Sequence, residues 1–187
     1  MKKKGLALVL ALTLLVTGIV GGTLAWLTDE SAKVVNTFTT SDIDITLEET
    51  TGESYKMVPG YTITKDPKVT VVDGSEKCYL FVKLEKSDNF DTFLTYEIAD
   101  GWIALEGVSD VYYRVVDTAD MGTEYSVLNG DQVSVKGTVT KDDMNGLTAD
   151  TYPTLTVTAY ASQYNKSADG TFTAAEAWNN IAPASGS

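Results

Sequence analysis

The sequence predicts an all-β domain, an antiparallel two-sheet sandwich with one or two short helices, preceded by a signal peptide. Three observations predict this architecture. A basic N-terminus leads into an apolar run at residues 6–20. Between residues 38 and 164 apolar and polar side chains alternate with a period of two, which is typical of strands with one buried face. Turn residues interrupt this alternation at intervals of roughly 8 to 15 residues, as they do in sandwiches.

The predicted signal peptide covers residues 1–25. Three lysines precede about 15 apolar residues, and the small side chains of Thr23 and Ala25 suit the narrow pockets of a signal peptidase. We therefore expect cleavage between Ala25 and Trp26. An uncleaved membrane anchor is the alternative, because residues 5–27 are long enough to cross a bilayer. The double glycine within that stretch favours cleavage.

The exported chain is strongly acidic. The formal charge of the full sequence is −12, and loss of residues 1–25, which carry three lysines and no acid, lowers it by three to −15. Arg114 is the only arginine, so the composition argues against a nucleic-acid partner, which needs a basic patch. Because an anionic lipid surface repels such a chain, membrane contact is expected only through the uncleaved signal.

The mature domain is expected at residues 41–187, and its first strand lies where Ile43, Ile45 and Leu47 alternate with polar residues. The next two strands contain Val69 and Val71 and residues 78–85, around a turn at Asp73-Gly74. Later strands are predicted at Thr92–Ile98, at Tyr112–Val116, on both sides of Asn129-Gly130 and after Pro153. Since Asn-Gly accepts the positive φ angles of a type I′ turn, we expect a hairpin at that dipeptide.

Cys78 is the only cysteine, so the chain has no internal disulfide. It shares one face of its strand with Leu80, Val82 and Leu84, which is the pattern of a half-buried strand. We expect a buried, inert thiol and no nucleophile. Stability must then come from core burial, a metal or assembly.

Two short helices are expected. One is a single turn within Lys141–Leu147. The other follows a capping box from Thr173 to Glu176 and should lay Trp178 and Ile181 on the sandwich. A helix that binds a partner is the alternative for this C-terminal element.

The segment Gly21–Asp29, Gly-Gly-Thr-Leu-Ala-Trp-Leu-Thr-Asp, precedes Asn36–Thr40 and an alternating strand. This junction resembles that of the TasA and camelysin family, secreted Gram-positive proteins whose signals are cut by a SipW-type signal peptidase. Val58–Pro67 is similar to the family's Pro-Gly turn and Thr-Lys-Asp strand, and Leu155–Ala161 fits a strand near its end. The resemblance implies a sandwich of jelly-roll type.

The resemblance also implies a function. It points to a secreted structural protein, a subunit of extracellular biofilm-matrix fibres at the surface of a Gram-positive-type bacterium. The sequence shows no second apolar span and no Leu-Pro-x-Thr-Gly sorting signal. We therefore expect the chain to be released, or held by head-to-tail assembly with copies of itself.

Residues 26–40 supply the predicted assembly segment. Its apolar positions are Trp26, Leu27, Val34, Val35 and Phe38, and residues 26–38 contain no Gly or Pro that blocks strand pairing. Added to the open edge of a neighbouring subunit, the segment would gain main-chain hydrogen bonds and bury those side chains. Alternatively, the same stretch is the first strand of its own sandwich, or a loose leader.

The composition leaves few routes to catalysis. The chain contains no histidine, which excludes Ser-His-Asp and Cys-His catalysis and a His-Glu-x-x-His zinc site. Camelysin is described as a metalloprotease, but no residue here can take that role. Paired carboxylates remain open, although the nearest string to an aspartic-protease motif is Asp117-Thr118-Ala119. We expect no enzymatic activity, no catalytic residue and, without paired nucleotide-binding glycines, no nucleotide cofactor.

Calcium is the one metal that this composition could hold. Residues 88–91 and 142–146 each place several side-chain oxygens close together. Neither stretch has the spacing of a calcium loop, so we expect turns in which Asp and Asn bond their own backbone.

A monomeric secreted or surface binding module, such as an adhesin or a carbohydrate-binding sandwich, is the alternative function. Trp102, Tyr112 and Tyr113 could form a platform for sugar stacking if they shared one outer face. A fibre subunit would keep them buried.

Overall fold

The computed structural model describes residues 42–51, 55–167 and 170–181. The predicted signal peptide and assembly segment therefore lie outside the described residues, and with them the positions Thr23, Ala25, Trp26, Leu27, Val34, Val35 and Phe38.

Antiparallel strands make up most of the regular structure. Within the described residues they are β1 (Ile45–Glu48), β2 (Thr62–Thr64), β3 (Lys68–Val71), β4 (Cys78–Lys86), β5 (Leu94–Thr95), β6 (Ile103–Ala104), β7 (Val111–Val116), β8 (Glu124–Ser126), β9 (Gln132–Val135), β10 (Leu155–Gln163), β11 (Asn165–Ser167) and β12 (Gly170–Thr171). Every pair among them is antiparallel. The predicted all-β class is confirmed.

These strands form four small sheets in the described chain. The largest, here called the central sheet, has the order β10-β4-β7-β6, and the others are β1-β3-β8, β2-β9-β5 and β11-β12. Strand β4 pairs with β10 over its whole length, from Cys78 opposite Gln163 to Lys86 opposite Leu155. The strand predicted after Pro153 is thus present, and it is among the longest in the fold.

The core lies on both faces of the central sheet. On one face, Leu80, Val82 and Leu84 of β4 join a cluster with side chains of β3 and β9. On the other face, Phe81 packs in a second cluster that includes Trp178. The half-buried pattern predicted for β4 is therefore wrong, because aromatic residues at its alternate positions are covered by a helix.

Three short α-helices occur in the described chain: α1 (Phe90–Phe93), α2 (Lys141–Asn145) and α3 (Ala174–Ile181). The capping box predicted for α3 is confirmed, since Thr173 N donates to a Glu176 carboxylate oxygen at 2.9 Å and Glu176 N donates to Thr173 Oγ1 at 3.3 Å. Thr140 and Asp143 cap α2 in the same reciprocal way. Trp178 is buried, as expected.

The strand predicted at Thr92–Ile98 is largely wrong. The chain forms α1 first and only two residues of β5 afterwards. Phe90 and Phe93 are both buried, and a spacing of three places both rings on one side of a helical turn. Burial of two aromatic rings thus outweighs the local β propensity of this stretch.

The type I′ hairpin predicted at Asn129-Gly130 is also wrong. A turn is present and strands flank it, but β8 pairs with β3 and β9 pairs with β2 and β5. Gly130 has φ 64° and Asp131 has φ 51°, whereas Asn129 keeps a negative φ. The turn therefore carries the chain from one sheet to another.

None of the helices in the described part of the chain has the length and apolar character needed to cross a membrane.

Candidate assembly surface

The outer edge of β10 is the longest unpaired strand edge in the described chain. All nine residues of β10 pair with β4 on one side, and no described strand is hydrogen-bonded to the other side. Strand β1 approaches β10 to within 8 Å between Cα atoms without pairing with it, and it has four residues against nine. Along much of the β10 edge, the N–H and C=O groups therefore have no strand partner among the described residues.

No charged residue lies in β10 or between Thr151 and Asn165 around it. Soluble proteins normally protect long strand edges with charges, proline or a bulge, because a bare edge is a template for pairing with another chain. In a sequence with 26 acidic residues, an uncharged edge of this length is an unusual exception. Its chemistry suits the addition of a strand.

The inner face of β10 is less well covered than that of its partner. Leu80, Val82 and Leu84 of β4 are at most 1 % exposed. The β10 residues opposite the last two, Ala159 and Val157, point to the same face but are only half-buried. The cover over the core is thus complete at β4 and incomplete at β10, so apolar side chains brought by an added strand would gain contacts there.

An apolar groove of about 740 Å³ opens at the Leu155 end of β10. Its walls come from the chain before β2, from β9, from α1 and α2 and from the entry to β10. The apolar wall residues include Met57, Val58, Phe90, Met144, Leu147, Pro153 and Leu155. Val58 is 47 % exposed and Tyr152, also in the wall, is 55 % exposed. The groove has the chemistry to accept an apolar or aromatic side chain.

Hydrogen bonds to Asp66 and an ion pair between Lys65 and Glu49 form a polar cluster beside this groove. The buried carboxylate of Asp66 accepts hydrogen bonds from the backbone and hydroxyl groups of both Thr50 and Thr51, at 2.5 to 3.1 Å. The Thr50 and Thr51 side chains are the main reason that the pKa of Asp66 lies far below its ordinary value. Beside it, Lys65 Nζ lies 2.9 Å from Glu49, and Lys65 lines the groove. The ion pair therefore holds Lys65 at the wall of the groove.

A stack of Trp102, Arg114 and Tyr125 joins the chain before β6 to β7 and β8. Trp102 Nε1 donates to the carbonyl oxygen of Ser126 at 2.8 Å, which joins the chain before β6 to β8. The guanidinium of Arg114 lies over the rings of Tyr125 and Trp102, at 3.9 and 5.1 Å from their centroids. A side chain at Gly101, which has φ 86°, would clash with Arg114. Nothing in the sequence pattern indicated this stack.

The predicted sugar platform does not form. Trp102 is only 8 % exposed and belongs to the main core cluster. Tyr112 and Tyr113 are successive residues of β7 and therefore pack on opposite faces of the central sheet, one in each cluster. The expectation that the three rings could share one outer face is wrong.

The two oxygen-rich stretches serve the fold. Asp143 caps α2, and Asn89 Nδ2 donates to the carbonyl oxygen of Thr151 at 2.8 Å. Asp91 lies 2.9 Å from Lys86 Nζ. In the described part of the chain, no group of three or more Cys, Asp or Glu residues could hold a metal ion.

The thiol of Cys78 is fully buried, as its strand pattern predicts. Burial raises its pKa to about 11, so the reactive thiolate is scarce at neutral pH.

The sequence pattern predicts a last strand at β10, but the predicted assembly residues lie elsewhere, within residues 26–40. A usable signal existed, since residues 151–165 form an uncharged, β-prone stretch in an acidic chain.

Comparisons with protein-family models, with curated proteins and with solved structures give no match for this chain.

Proposed function

We propose that this chain is an exported structural subunit that assembles head-to-tail into extracellular fibres by strand addition. The observation that carries the proposal is the β10 edge, which is long, uncharged and incompletely covered on its inner face. The four sheets would be parts of a jelly-roll sandwich, and packing of β3 and β9 over one face of the central sheet supports that arrangement.

The donated strand is residues 26–38, freed by cleavage between Ala25 and Trp26. Sequence resemblance to TasA and camelysin proteins supports export through a SipW-type signal peptidase and a place in a biofilm matrix. A head-to-tail contact in which each subunit gives one strand and receives another forms an open filament when its rotation does not close a ring. We propose such a filament, in which the partner of each subunit is a copy of itself.

The balance of free energy at each junction is small. Burial of Trp26, Leu27, Val34, Val35 and Phe38 at about 1.5 to 3 kcal/mol each gives a gross gain of order 10 kcal/mol. Ordering the 13 residues of the segment, at about 1 to 2 kcal/mol per residue, costs at least as much as this gain, so main-chain hydrogen bonds must supply the remaining favourable free energy. Loss of one or two apolar anchors should therefore prevent assembly.

Two variants of the mature chain test the proposal. Deletion of residues 26–35, or the double substitution Val34→Asp with Val35→Asp, should leave a folded β-rich monomer that forms no fibres. Ser31→Asp with Thr37→Asp is the matched control, because it adds the same charge at polar positions of the same segment. Electron microscopy and mass in solution provide the measurements.

The outcomes separate the alternatives for residues 26–38. Should the deleted chain unfold, the segment is a strand of its own sandwich. Fibres from the deleted chain that match those of the intact mature chain would refute strand donation. Equal loss of fibres in both double variants would assign the effect to charge alone.

A monomeric binding module is the second candidate, and the apolar groove beside β10 favours it. The mature chain would then stay monomeric at all concentrations. Met144→Asp in the groove would abolish ligand binding without any effect on mass in solution.

A further inference from the structure

We infer that the apolar groove beside β10 binds a free fatty acid, with the carboxylate at Lys56 and Lys65 and the alkyl chain against the core. The inference rests on one claim of the second candidate function, that the groove binds a ligand, and it names the class of that ligand. Binding to the groove and formation of fibres are separate properties, so each can fail without the other.

The base of the groove is part of the hydrophobic core. Phe90, Leu94 and Val133 line it and are at most 7 % exposed, and Met144 and Leu147 add further apolar side chains. Its volume of about 740 Å³ lies within the range of roughly 300 to 1,000 Å³ that is typical of small-molecule sites. A hydrocarbon chain suits this lining better than a sugar, whose hydroxyl groups would lose their hydrogen bonds to water.

The charge at the groove is opposite to that of the whole protein. The chain has 26 acidic and 14 basic residues, yet the described residues that line the groove include two lysines, Lys56 and Lys65, and no acid. Lys65 pairs with Glu49 at 2.9 Å, whereas Lys56 is exposed and pairs with no carboxylate among the described residues. The positive charge of Lys56 is thus uncompensated, and it favours an anionic head group over a neutral or cationic one.

The charged groups are gathered on one part of the lining. Lys65 Nζ lies 5.7 Å from the centroid of the Tyr55 ring, and the Tyr55 hydroxyl donates to Glu49 Oε1 at 2.6 Å. Lys56 follows Tyr55 directly in the chain. The apolar lining from α1, α2, β9 and the entry to β10 carries no charge. The matching ligand therefore has one charged end and an apolar body.

The charge of the protein favours a free molecule over a membrane as the source of this ligand. The formal charge is −12, or −15 once the three lysines of residues 1–25 are removed, so an anionic bilayer repels the chain. A single carboxylate in the groove meets much less repulsion, because charges farther away than about 8 Å are largely screened at physiological ionic strength.

Isothermal titration calorimetry of the mature chain, residues 26–187, tests the alkyl part of the inference. The probes are octanoate, decanoate and dodecanoate, each below its micelle concentration. Burial of one CH₂ group strengthens binding about fourfold, so each step of two CH₂ groups should strengthen it about 15-fold. Electron microscopy of the same samples reports whether fibres are present.

Two pairs of variants test the position of the ligand. Lys56→Gln should weaken decanoate binding about twofold to fivefold and leave binding of the neutral 1-decanol unchanged. The control Lys83→Gln removes a lysine from the other face of the central sheet and should change neither.

Val58→Asp should weaken decanoate binding at least tenfold, because it removes an apolar contact and adds a negative charge to the groove. The control is Val72→Asp, since Val72 is also exposed, at 37 % against 47 % for Val58, and does not line the groove. Thermal unfolding followed by circular dichroism checks that all four variants are folded.

Four results would overturn the inference. The first is no binding of dodecanoate by the mature chain, whether or not it forms fibres. The second is binding of 1-decanol as tight as that of decanoate and insensitive to Lys56→Gln, which would make the groove a merely apolar site. The third is binding only after deletion of residues 26–35, which would assign the groove to that segment. The fourth is a Val58→Asp chain that binds decanoate normally but forms no fibres, which would make the groove a contact between copies. Absence of fibres together with normal binding would defeat the proposed assembly and support the inference.

Discussion

Replacement of Trp178 by alanine should destabilise the domain and have no separate effect on assembly. Trp178 is 6 % exposed, and its ring centroid lies 5.3 Å from those of Phe81 and of Tyr160. Truncation of a buried tryptophan to alanine typically costs about 3 to 5 kcal/mol, and each aromatic pair contributes about 0.5 to 1.5 kcal/mol of that. The loss should also expose Phe81, which is completely buried beneath the helix.

Thermal unfolding followed by circular dichroism measures this change. At roughly 2 to 4 °C per kcal/mol for a chain of this size, the midpoint of thermal unfolding should fall by about 6 to 20 °C. Asn180→Ala is the matched control, because Asn180 lies in the same helix and is exposed. Its stability should change by less than about 0.5 kcal/mol.

The result that would refute this reasoning is a Trp178→Ala protein with nearly unchanged stability. If such a protein also lost fibre formation, α3 would be a partner-binding helix, the alternative left open by its sequence. If it kept fibre formation, the second cluster would contribute little to the fold.

Three further predictions concern the β10 edge, the stability of the fold at low pH and the Cys78 thiol. Thr156→Lys should abolish fibres in electron microscopy and leave the midpoint of unfolding unchanged, because Thr156 is exposed on the β10 edge. The control Thr62→Lys, on the edge strand β2, should leave the fibres intact. The Lys166 ion pair and the Thr173 hydrogen bonds lower the pKa of Glu176 from 4.5 to about 2. The contribution of Glu176 to the stability of the fold is therefore fully present above pH 4.5 and is lost as the pH falls towards 2. Glu176→Gln should flatten the pH dependence of the free energy of unfolding between pH 4.5 and 2. Labelling of Cys78 by a thiol reagent at pH 8 should follow the global unfolding rate, and fast labelling of the folded chain would contradict its burial.

Local sequence signals predicted those parts of the fold whose stability is local. The cap of α3 needs only Thr173 and Glu176 three residues apart, and a β-prone stretch after Pro153 marks the position of β10, although that strand forms by pairing with β4. The α1 helix could not be predicted in this way, since Phe90 and Phe93 form a helical turn in response to a core built by distant strands. The turn at Gly130 likewise depends on which sheets its flanking strands join.

The candidate site shows the same division. The apolar pattern of residues 26–38 is visible in the sequence, whereas an acceptor edge is a property of pairing and cannot be read from one segment. The half-buried inner face of β10 and the groove at its end arise from elements far apart in the chain, among them α2 and the segment before β2. The sugar platform failed for a simpler reason, because adjacent strand residues such as Tyr112 and Tyr113 face opposite ways.

The stacked arginine has a consequence for the resistance of the folded protein to proteolysis. A protease that cuts only after arginine has a single target in this chain, Arg114. This residue lies within β7, and its guanidinium stacks on the ring of Tyr125. Cleavage there requires an extended, accessible backbone, which a central strand offers only when the whole sheet opens. Exposed loops and tails hold no second arginine at which digestion could begin. The folded chain should therefore resist arginine-specific digestion until it unfolds. The rate of cleavage then reports directly how the central sheet opens.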